Sequence, residues 1–403
     1  MGTRGSSDGV SRNSSAILKQ TVREALEATL GDLVDLSHGI HEHPELCFEE
    51  SWSARGCVDL LERNGFAVEE GVCDLPTAFR ATAGSGEFEV ALCAEYDALP
   101  GIGHACGHNV IAASSLGAGI ALSSVADELG ITVRVLGTPA EEGGGGKILM
   151  LKRGGFDGVH VAMMVHPAPI DFLVPQVLAV THFIVEFKGK EAHASAAPWE
   201  GVNAGDAMTI AQVGVAHLRQ HLHPGEQVHG IVTDGGEAPN VIPGSTAGHF
   251  MCRAPTVDQV ADVDRRVKRC FEAGALATGC SVTFQEVSPT YSHMETNATL
   301  IRLYRENAES LGRTFALDDE GIPGPTLSTD MANVSLAIPS IHPLIAIETN
   351  GAVNHQSEFA NACVAPSADD AVRDAALAMA WTAVDAGSSE VTRRELIEAA
   401  TRR

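Results

Sequence analysis

The sequence has no long apolar run and comparatively few basic residues. No stretch approaches the roughly 18 consecutive apolar residues of a membrane-spanning helix. Its 44% hydrophobic content instead fits a globular protein with a substantial core. The 27 lysines and arginines stand against 52 acidic residues, and this net charge of −25 argues against binding to nucleic acid or to an anionic membrane. It does not constrain a small substrate, because the local charge in a cleft can oppose the net charge.

The sequence also lacks a cysteine framework. Its nine cysteines are an odd number without regular spacing, and no Cys-x-x-Cys pair occurs. This usage predicts reduced thiols in the cytoplasm rather than a disulfide scaffold. The start of the chain is polar and rich in serine and glycine, unlike a secretory signal. Residues 1–14 are therefore predicted to form a disordered leader.

The first half of the chain alternates helical and strand patterns. Apolar residues spaced three to four apart predict a long helix from about residue 15, followed by a helix at 51–64. Predicted strands at 89–94, 132–137 and 160–165 alternate with helices, one of which covers 110–126. Such alternation is typical of an α/β domain with a mostly parallel, buried sheet and helices on both faces.

A second pattern begins near residue 180. Strands and helices are predicted at 181–188, 201–219, 229–233, 245–253, 257–278 and 281–287, in the order β-α-β-β-α-β. This order predicts a small α+β domain with a ferredoxin-like sheet. The chain length is consistent with two domains. We therefore predict a catalytic domain over residues 15–179 and 293–403, with a lid domain over 180–292 inserted into it.

Two short segments carry metal-binding chemistry. His104, Cys106 and His108 gather two imidazoles and a thiol within five positions, and Glu141 and Glu142 precede four glycines. Both segments follow predicted strands, and ligands bind outside the carboxyl ends of the strands in open α/β sheets. A redox element or structural zinc is the alternative for the first segment. Structural zinc, however, usually takes a closed, cysteine-rich set of four ligands, so a catalytic metal is favoured.

The two adjacent glutamates have a structural alternative as well. They could form a solvated face, but the glycines after them let the backbone approach closely and adopt unusual angles. One carboxylate can then bind a metal while its neighbour acts on the reacting water. His166 ends a predicted strand at the same sheet edge and is therefore a candidate ligand. His355 has no periodic context, and its own surroundings do not decide between a ligand and a structural residue.

Three polar residues of the predicted inserted domain are candidates for substrate contacts. His193, Asn240 and Arg253 could simply satisfy turns. In a lid domain they would instead orient a substrate carboxylate or stabilise an oxyanion. Sequence spacing alone does not choose between these roles.

These residues together resemble a known family. The chain is similar to the clan MH dinuclear metallo-amidohydrolases, which include aminoacylases, indole-acetyl-amino-acid hydrolases and p-aminobenzoyl-glutamate hydrolases. It resembles most the branch of aminoacylase-like dipeptidases. The resemblance extends over about residues 36–365 and is carried by motifs at 41–45, 95–100, 103–109, 137–147, 189–203, 229–243 and 328–355. So many motifs in one order make it specific.

The resemblance implies a role for each candidate residue. Five residues would bind metal: Cys106, His108, Glu142, His166 and His355. Glu141 matches the family's general base, and Asp97 would orient a metal-bound histidine. His193 and Asn240 match lid residues that reach into the partner subunit's site, which implies a homodimer formed through the lid. Arg253 matches a lid residue that grips a substrate carboxylate, and His104 is not carried over as a ligand.

Two positions depart from the related branches. Glu95 stands where the aminoacylase branch has a metal-binding histidine, a ligand that the Cys106 and His108 pair replaces. Asn109 replaces the aspartate that follows Cys-Gly-His in the auxin-conjugate branch and matches the dipeptidase-like one. These departures bear on the substrate class more than on catalysis.

The combined prediction is a metal-dependent amidohydrolase acting on N-acyl or N-aroyl amino acids or on unusual dipeptides. Two divalent ions per subunit would share the attacking hydroxide, with Glu141 as base and His193 helping to stabilise the oxyanion. The Cys106 thiolate favours zinc, while manganese and cobalt remain alternatives. Two other interpretations stay open: a true dipeptidase or carboxypeptidase, and a homologue that binds metal or ligand without catalysis.

Overall fold

The computed structural model describes residues 7–315 and 324–402, with side chains from Ser14 onward. It divides into two compact units. Unit 1 comprises Met1–Gln176, Met294–Thr326 and Asp330–Arg403, and unit 2 comprises Val177–His293 and Leu327–Thr329. None of the described helices is both long and apolar enough to cross a membrane. Helices and strands are each numbered along the chain.

Unit 1 is built around a mixed sheet with a parallel centre. Its strands are β1 (Ala67–Glu70), β2 (Phe79–Gly84), β3 (Phe88–Ala94), β4 (Ile131–Gly137), β5 (Val161–Met163) and β15 (Ser340–Ile341), in the order β1-β2-β4-β3-β5-β15. β4, β3, β5 and β15 run parallel, whereas β1 and β2 are antiparallel additions at one edge. β6 (His166–Ala168) pairs in parallel with β16 (Leu344–Ala346) outside this sheet, and β7 (Gln176–Val177) pairs with β14 (Thr326–Leu327).

Helices cover both faces of the sheet. They are α1 (Ser7–Glu42), α2 (Ser51–Arg63), α3 (His108–Ser123), α4 (Ala126–Leu129), α5 (Gly146–Lys152), α8 (Ala298–Ser310), α9 (Met331–Ala337), α10 (Ser357–Ala362), α11 (Pro366–Ser388) and α12 (Glu390–Thr401). Successive residues of a strand point to opposite faces. Val90 and Leu92 accordingly join the core with α1, α3 and α11, whereas Ala91 and Cys93 join the core with α5 and α9. The predicted buried, mostly parallel sheet is confirmed.

The start of α1 corrects one prediction. The helix begins at Ser7, so residues 7–14 of the predicted disordered leader are helical, while residues 1–6 lie outside the described part of the chain. Later turns of α1 bury Leu18, Val22 and Leu26 in the core. Once those turns are fixed by packing, extending the helix adds one hydrogen bond per residue, which favours its continuation toward the start.

Unit 2 has the predicted β-α-β-β-α-β order. Its sheet contains β8 (Ala179–Lys188), β10 (Gln227–Asp234), β12 (Ser245–Ala254) and β13 (Ser281–Glu286), all antiparallel in the order β10-β12-β8-β13. Helices α6 (Ala204–Leu218) and α7 (Val257–Thr278) pack on one face, and β9 (Ala192–His193) pairs with β11 (Val241–Ile242). This is a ferredoxin-like strand order. The backbones of Val180 and Tyr291 exchange two hydrogen bonds, so the two ends of the segment adjoin.

Candidate metal centre

The candidate residues of unit 1 lie where parallel strands end. The loop after β3 carries Asp97 and Cys106, and the loop after β4 carries Glu141 and Glu142. His108 is the first residue of α3, and Gly107 before it has a φ of 82°. A side chain at that position would be strained, and its Cβ would lie 2.4 Å from Pro167 Cγ. The Cys-Gly-His sequence therefore places a thiol and an imidazole on either side of a tight turn.

Asp97 fixes the orientation of His108. Its Oδ1 lies 3.0 Å from His108 Nδ1, and its Oδ2 accepts the Glu142 backbone N–H at 2.9 Å. Burial alone would raise the pKa of Asp97, but the charge and hydrogen bond of His108 bring it below its ordinary value. With Nδ1 bound to Asp97, Nε2 is the His108 ring nitrogen that could bind an ion in place of a proton. That atom is buried and has no hydrogen-bond partner within the described residues.

Cys106 and His166 form a second pair. The Cys106 Sγ lies 3.4 Å from His166 Nε2, and His166 Nδ1 donates to the Pro167 carbonyl at 2.8 Å. Burial and the nearby His108 charge lower the pKa of His166 to about 4, so the ring is neutral and Nε2 carries a lone pair. Burial and the Glu142 charge raise the pKa of Cys106 well above its ordinary value. A bound cation is therefore needed to make this thiol a thiolate.

Glu142 links this pair to His355. Its Oε1 lies 3.5 Å from His355 Nε2 and 3.8 Å from His108 Nε2, and it has no hydrogen-bond partner in the described part of the chain. His355 has a φ of 69°, in the left-handed region, and its backbone N–H donates to the Ala105 carbonyl at 2.8 Å. Its side chain is 55% exposed, so the site opens to solvent on this side.

Glu141 also faces the Nε2 atom of His108. Its Oε2 lies 3.9 Å from His108 Nε2, and its side chain is only 10% exposed. Burial raises the pKa of Glu141 well above its ordinary value, and the charges of Glu95 and Glu142 raise it further. A carboxylate with a raised pKa is suited to take up a proton and release it again.

The donor atoms suit divalent metal ions. Three potential donor atoms within 4.8 Å of one another occur in the group Cys106, His108 and His166, and in the group Cys106, Glu142 and His355. The two groups share Cys106 and together contain all five residues that the sequence predicts as ligands. Unpaired buried polar atoms are costly, and a cation would satisfy His108 Nε2 and Glu142 Oε1 together. His104 belongs to none of the groups found among the described residues.

The candidates of unit 2 form two separate hydrogen-bonded groups. His193 pairs with Val241 in the β9–β11 ladder, and the Asn240 carbonyl accepts the Ala194 N–H at 3.0 Å, so His193 and Asn240 are neighbours. His193 Nδ1 accepts backbone N–H groups at 3.3 and 3.2 Å, which leaves the proton on Nε2. Both side chains are exposed. Arg253 is half-buried elsewhere in the unit, where Nη1 donates to Ser328 Oγ at 2.7 Å and Nε donates to His229 at 3.1 Å.

Three buried charged residues around the site were missed from the sequence. Glu50 accepts the Ala140 N–H at 2.9 Å, and Lys147 donates to Glu95 and, at 2.8 Å, to Asp330. The sequence offers a sign that Lys147 is unusual, because it is a charged residue that follows the four glycines at the start of a largely apolar helix. Glu50 and Asp330 have no such sign, since the partners that bury them, Ala140 and Lys147, are remote in sequence.

Comparisons with known proteins identify relatives among peptidases and hydrolases. A family profile described as a peptidase dimerisation domain matches residues 180–278. The mouse Xaa-Arg dipeptidase is 39% identical over 92% of this chain and 89% of its own length. One of the subunits of the Escherichia coli p-aminobenzoyl-glutamate hydrolase is 36% identical over 65% of this chain and 59% of its own length.

A solved structure shows the same fold. A Bacillus subtilis protein described as a dinuclear metal-binding peptidase of the M20 family superposes with a TM-score of 0.68 and 22% identity, over 89% of this chain and 98% of that one. The resemblance that the sequence motifs carry is thereby confirmed. This chain is an enzyme that belongs to the M20 family of peptidases and amidohydrolases.

Proposed function

We propose that this enzyme is a two-metal amidohydrolase that cleaves the amide bond of a dipeptide or an N-acyl amino acid with a free carboxylate. The main support is the pair of donor groups that share Cys106, with Glu141 beside them. Divalent ions bound there would polarise the amide carbonyl and lower the pKa of a water molecule toward about 7. The thiol favours zinc, whereas imidazoles and carboxylates also suit manganese or cobalt.

In this proposal Glu141 transfers the proton. Its buried carboxylate accepts the proton of the attacking water and then delivers it to the leaving amine, a role that its raised pKa supports. Glu142, the next residue, faces His108 and His355 and acts as a ligand. Asp97 holds the His108 ring through Nδ1, which would leave Nε2 as the atom that binds an ion.

A second copy of the chain completes the proposed site. Unit 2 contains the match to a peptidase dimerisation domain, and we propose that it mediates a homodimer. His193 and Asn240 would then act in the partner subunit's site. The Nε2–H of His193 is exposed and held in one tautomer by the backbone, so it can donate to the oxyanion of the tetrahedral intermediate.

Arg253 and the relatives guide the choice of substrates. The Arg253 guanidinium is held by Ser328 and His229 and is proposed to bind the substrate carboxylate. Because one relative is an Xaa-Arg dipeptidase by name and another hydrolyses p-aminobenzoyl-glutamate by name, these two classes are the first to assay. N-acetyl amino acids complete the panel.

The test compares two neighbouring glutamates. Protein stripped with a chelator and reloaded separately with zinc, manganese or cobalt is assayed against the panel, and bound metal is measured by mass spectrometry. Glu141→Gln is expected to retain its metal while turnover falls by about 10²–10⁴-fold, because only proton transfer is lost. Glu142→Gln, the matched control, is expected to lose bound metal as well.

Two results would contradict the proposal. One is wild-type turnover by metal-loaded Glu141→Gln. The other is metal-loaded wild-type protein that binds these substrates tightly and turns over none of them, which would indicate a binding protein.

A further inference from the structure

Lys147 is a fully buried cation next to the site. Its ammonium donates to Glu95 and, at 2.8 Å, to Asp330 Oδ1, and none of the three side chains is exposed. The Lys147 backbone N–H also donates to Asp330 Oδ2 at 2.9 Å. Burying a charge is strongly unfavourable unless the charge is paired and hydrogen-bonded. Lys147 therefore depends on these carboxylates, and they depend on it.

The carboxylates around Lys147 include the proposed base. Oxygen atoms of Glu95, Glu141 and Asp330 lie within 4.8 Å of one another, an arrangement that could hold a metal ion. All three residues are buried. A buried group of three carboxylates needs a counter-charge, and oxygen-only donors of this kind suit manganese or magnesium. The Lys147 ammonium already supplies a positive charge to two of the three.

A carboxylate that coordinates a metal has its lone pairs engaged and is a poor base. If an ion entered the group of Glu95, Glu141 and Asp330, Glu141 would become a ligand and proton transfer would suffer. Burial works against the charge of Lys147, but Asp330, Glu95 and Glu141 hold its pKa above the ordinary range. The ammonium is therefore a permanent occupant of this group at any physiological pH.

We propose that Lys147 occupies the cation position among Glu95, Glu141 and Asp330 and thereby keeps a metal ion out of this group, so that Glu141 remains available as a base. Lys147 is thus a positioning residue that acts through Glu141. The inference rests on the proposed function of Glu141, but its test measures metal binding and not turnover.

The test counts bound Mn²⁺ per chain. Full-length wild type and Lys147→Met are dialysed to equilibrium against buffered Mn²⁺, and the ion content is measured by mass spectrometry. Lys147→Met removes the charge and keeps the length of the side chain. We expect it to bind one more ion per chain than wild type, and we expect Mn²⁺ to raise its melting temperature more than that of wild type. An equal ion count would overturn the proposal.

Two further variants identify the extra ligand and guard against misfolding. In Lys147→Met/Glu141→Gln the additional ion should be lost, because Glu141 no longer offers a carboxylate; retention would show that Glu141 is not a ligand there. Glu141→Gln in the wild-type background keeps Lys147 and should leave the ion count unchanged. A lower count would mean that Glu141 already coordinates metal, which overturns the inference even if Lys147→Met does not fold. Failure of the proposed function appears separately, as undiminished turnover by Glu141→Gln.

Discussion

Glu50 is a buried carboxylate that fixes two turns beside the site. Its Oε1 accepts the backbone N–H groups of Phe48 and Ala140, each at 2.9 Å, and its Oε2 accepts the Thr77 hydroxyl at 2.7 Å. Phe48 and Ala140 both have positive φ, at 63° and 60°, so both turns need external support. Burial raises the pKa of Glu50 to about 7. Ala140 directly precedes Glu141. By holding the Ala140 backbone, Glu50 therefore fixes the position of the Glu141 backbone.

Replacing Glu50 should damage both stability and catalysis. Glu50→Ala would leave the buried Ala140 N–H and the partly buried Phe48 N–H without an acceptor, and a buried group left in this way costs about 1–3 kcal/mol. Displacement of the Glu141 loop would also lower kcat, by about 10²-fold for a shift near 1 Å. Urea unfolding and steady-state kinetics measure the two effects.

Glu50→Gln is the matched control for this change. Its amide oxygen can still accept both N–H groups, and its amino group can donate to the Thr77 hydroxyl. We expect near-wild-type stability and kcat for this variant. If Glu50→Ala behaved like Glu50→Gln, the carboxylate would not support the loop.

Individual residues differ in how far the sequence reveals them. Cys106, His108 and the two glutamates stand in short motifs whose residue types already indicate metal chemistry. Two of the three partners of Glu50 lie 27 and 90 positions away, and nothing in its neighbourhood distinguishes it from a solvated acidic residue. A buried hydrogen-bond acceptor of this kind depends on how loops pack, and local patterns do not record that.

Helix α3 is so closely surrounded that its packing limits the size of its side chains. It begins with His108 and is buried almost along its whole length, between β3 on one side and α1 and α11 on the other. Small residues make this possible. A Cβ at Gly119 would lie 2.3 Å from Val135 Cγ2, and one at Gly117 would lie 2.9 Å from Leu33 Cδ1. The approach of α3 to the sheet therefore requires glycine.

Two glycine-to-alanine changes should shift the free energy of unfolding in opposite directions. Alanine is favoured over glycine within a helix by about 1 kcal/mol. Gly119→Ala should nevertheless destabilise unit 1 by about 1–3 kcal/mol, because Val135 is β-branched, buried and unable to move aside. Gly31→Ala in α1 has no atom within 4 Å of its new Cβ and should stabilise by about 1 kcal/mol. Thermal or urea unfolding of the two variants measures the difference. Stabilisation by Gly119→Ala would contradict the packing argument.

Most helices and strands can be predicted from the spacing of apolar residues along the sequence. The strands at 89–94 and 132–137 and the β-α-β-β-α-β order of the second half follow from patterns that span five residues or more. His166 was expected to end a strand of the main sheet, but it begins the short β6, which pairs with β16 instead. Ladders of two or three residues have too few positions to establish a period, so the sequence does not predict them.

At the scale of the whole molecule, unit 2 offers an unpartnered sheet edge. β10 and β13 are the two edge strands of this sheet in the described part of the chain, and on β10 Ile231 is 64% exposed and Val232 is 41% exposed. An apolar edge strand is a ready surface for pairing with another chain. The proposed homodimer would use this edge, and it would also bring His193 of one copy to the other.

Ile231→Lys should therefore weaken the dimer. A charge placed in an apolar interface is expected to raise the dissociation constant by about tenfold or more. Activity at low protein concentration should fall in parallel, because the monomer lacks the partner's His193. Sedimentation velocity and activity measured over the same dilution series test this.

Leu276→Lys serves as the control. Leu276 lies on α7, is 87% exposed and is not on the β10 edge, so the same change there should leave the dimer intact. Dissociation by both variants would indicate a general effect of charge. An unchanged dimer in Ile231→Lys would exclude the β10 edge as the interface.

The two hydrogen bonds between Val180 and Tyr291 have a consequence for how such a protein can arise. Because Val180 and Tyr291 lie side by side, the chain before Val180 and the chain after Tyr291 could be joined by a short turn. We therefore expect a short linker to be able to replace the segment between them, although Leu327–Thr329 of unit 2 lie elsewhere in the chain. Such an exchange would leave every strand of the six-stranded sheet of unit 1 in its present order, because all of them lie outside residues 180–291.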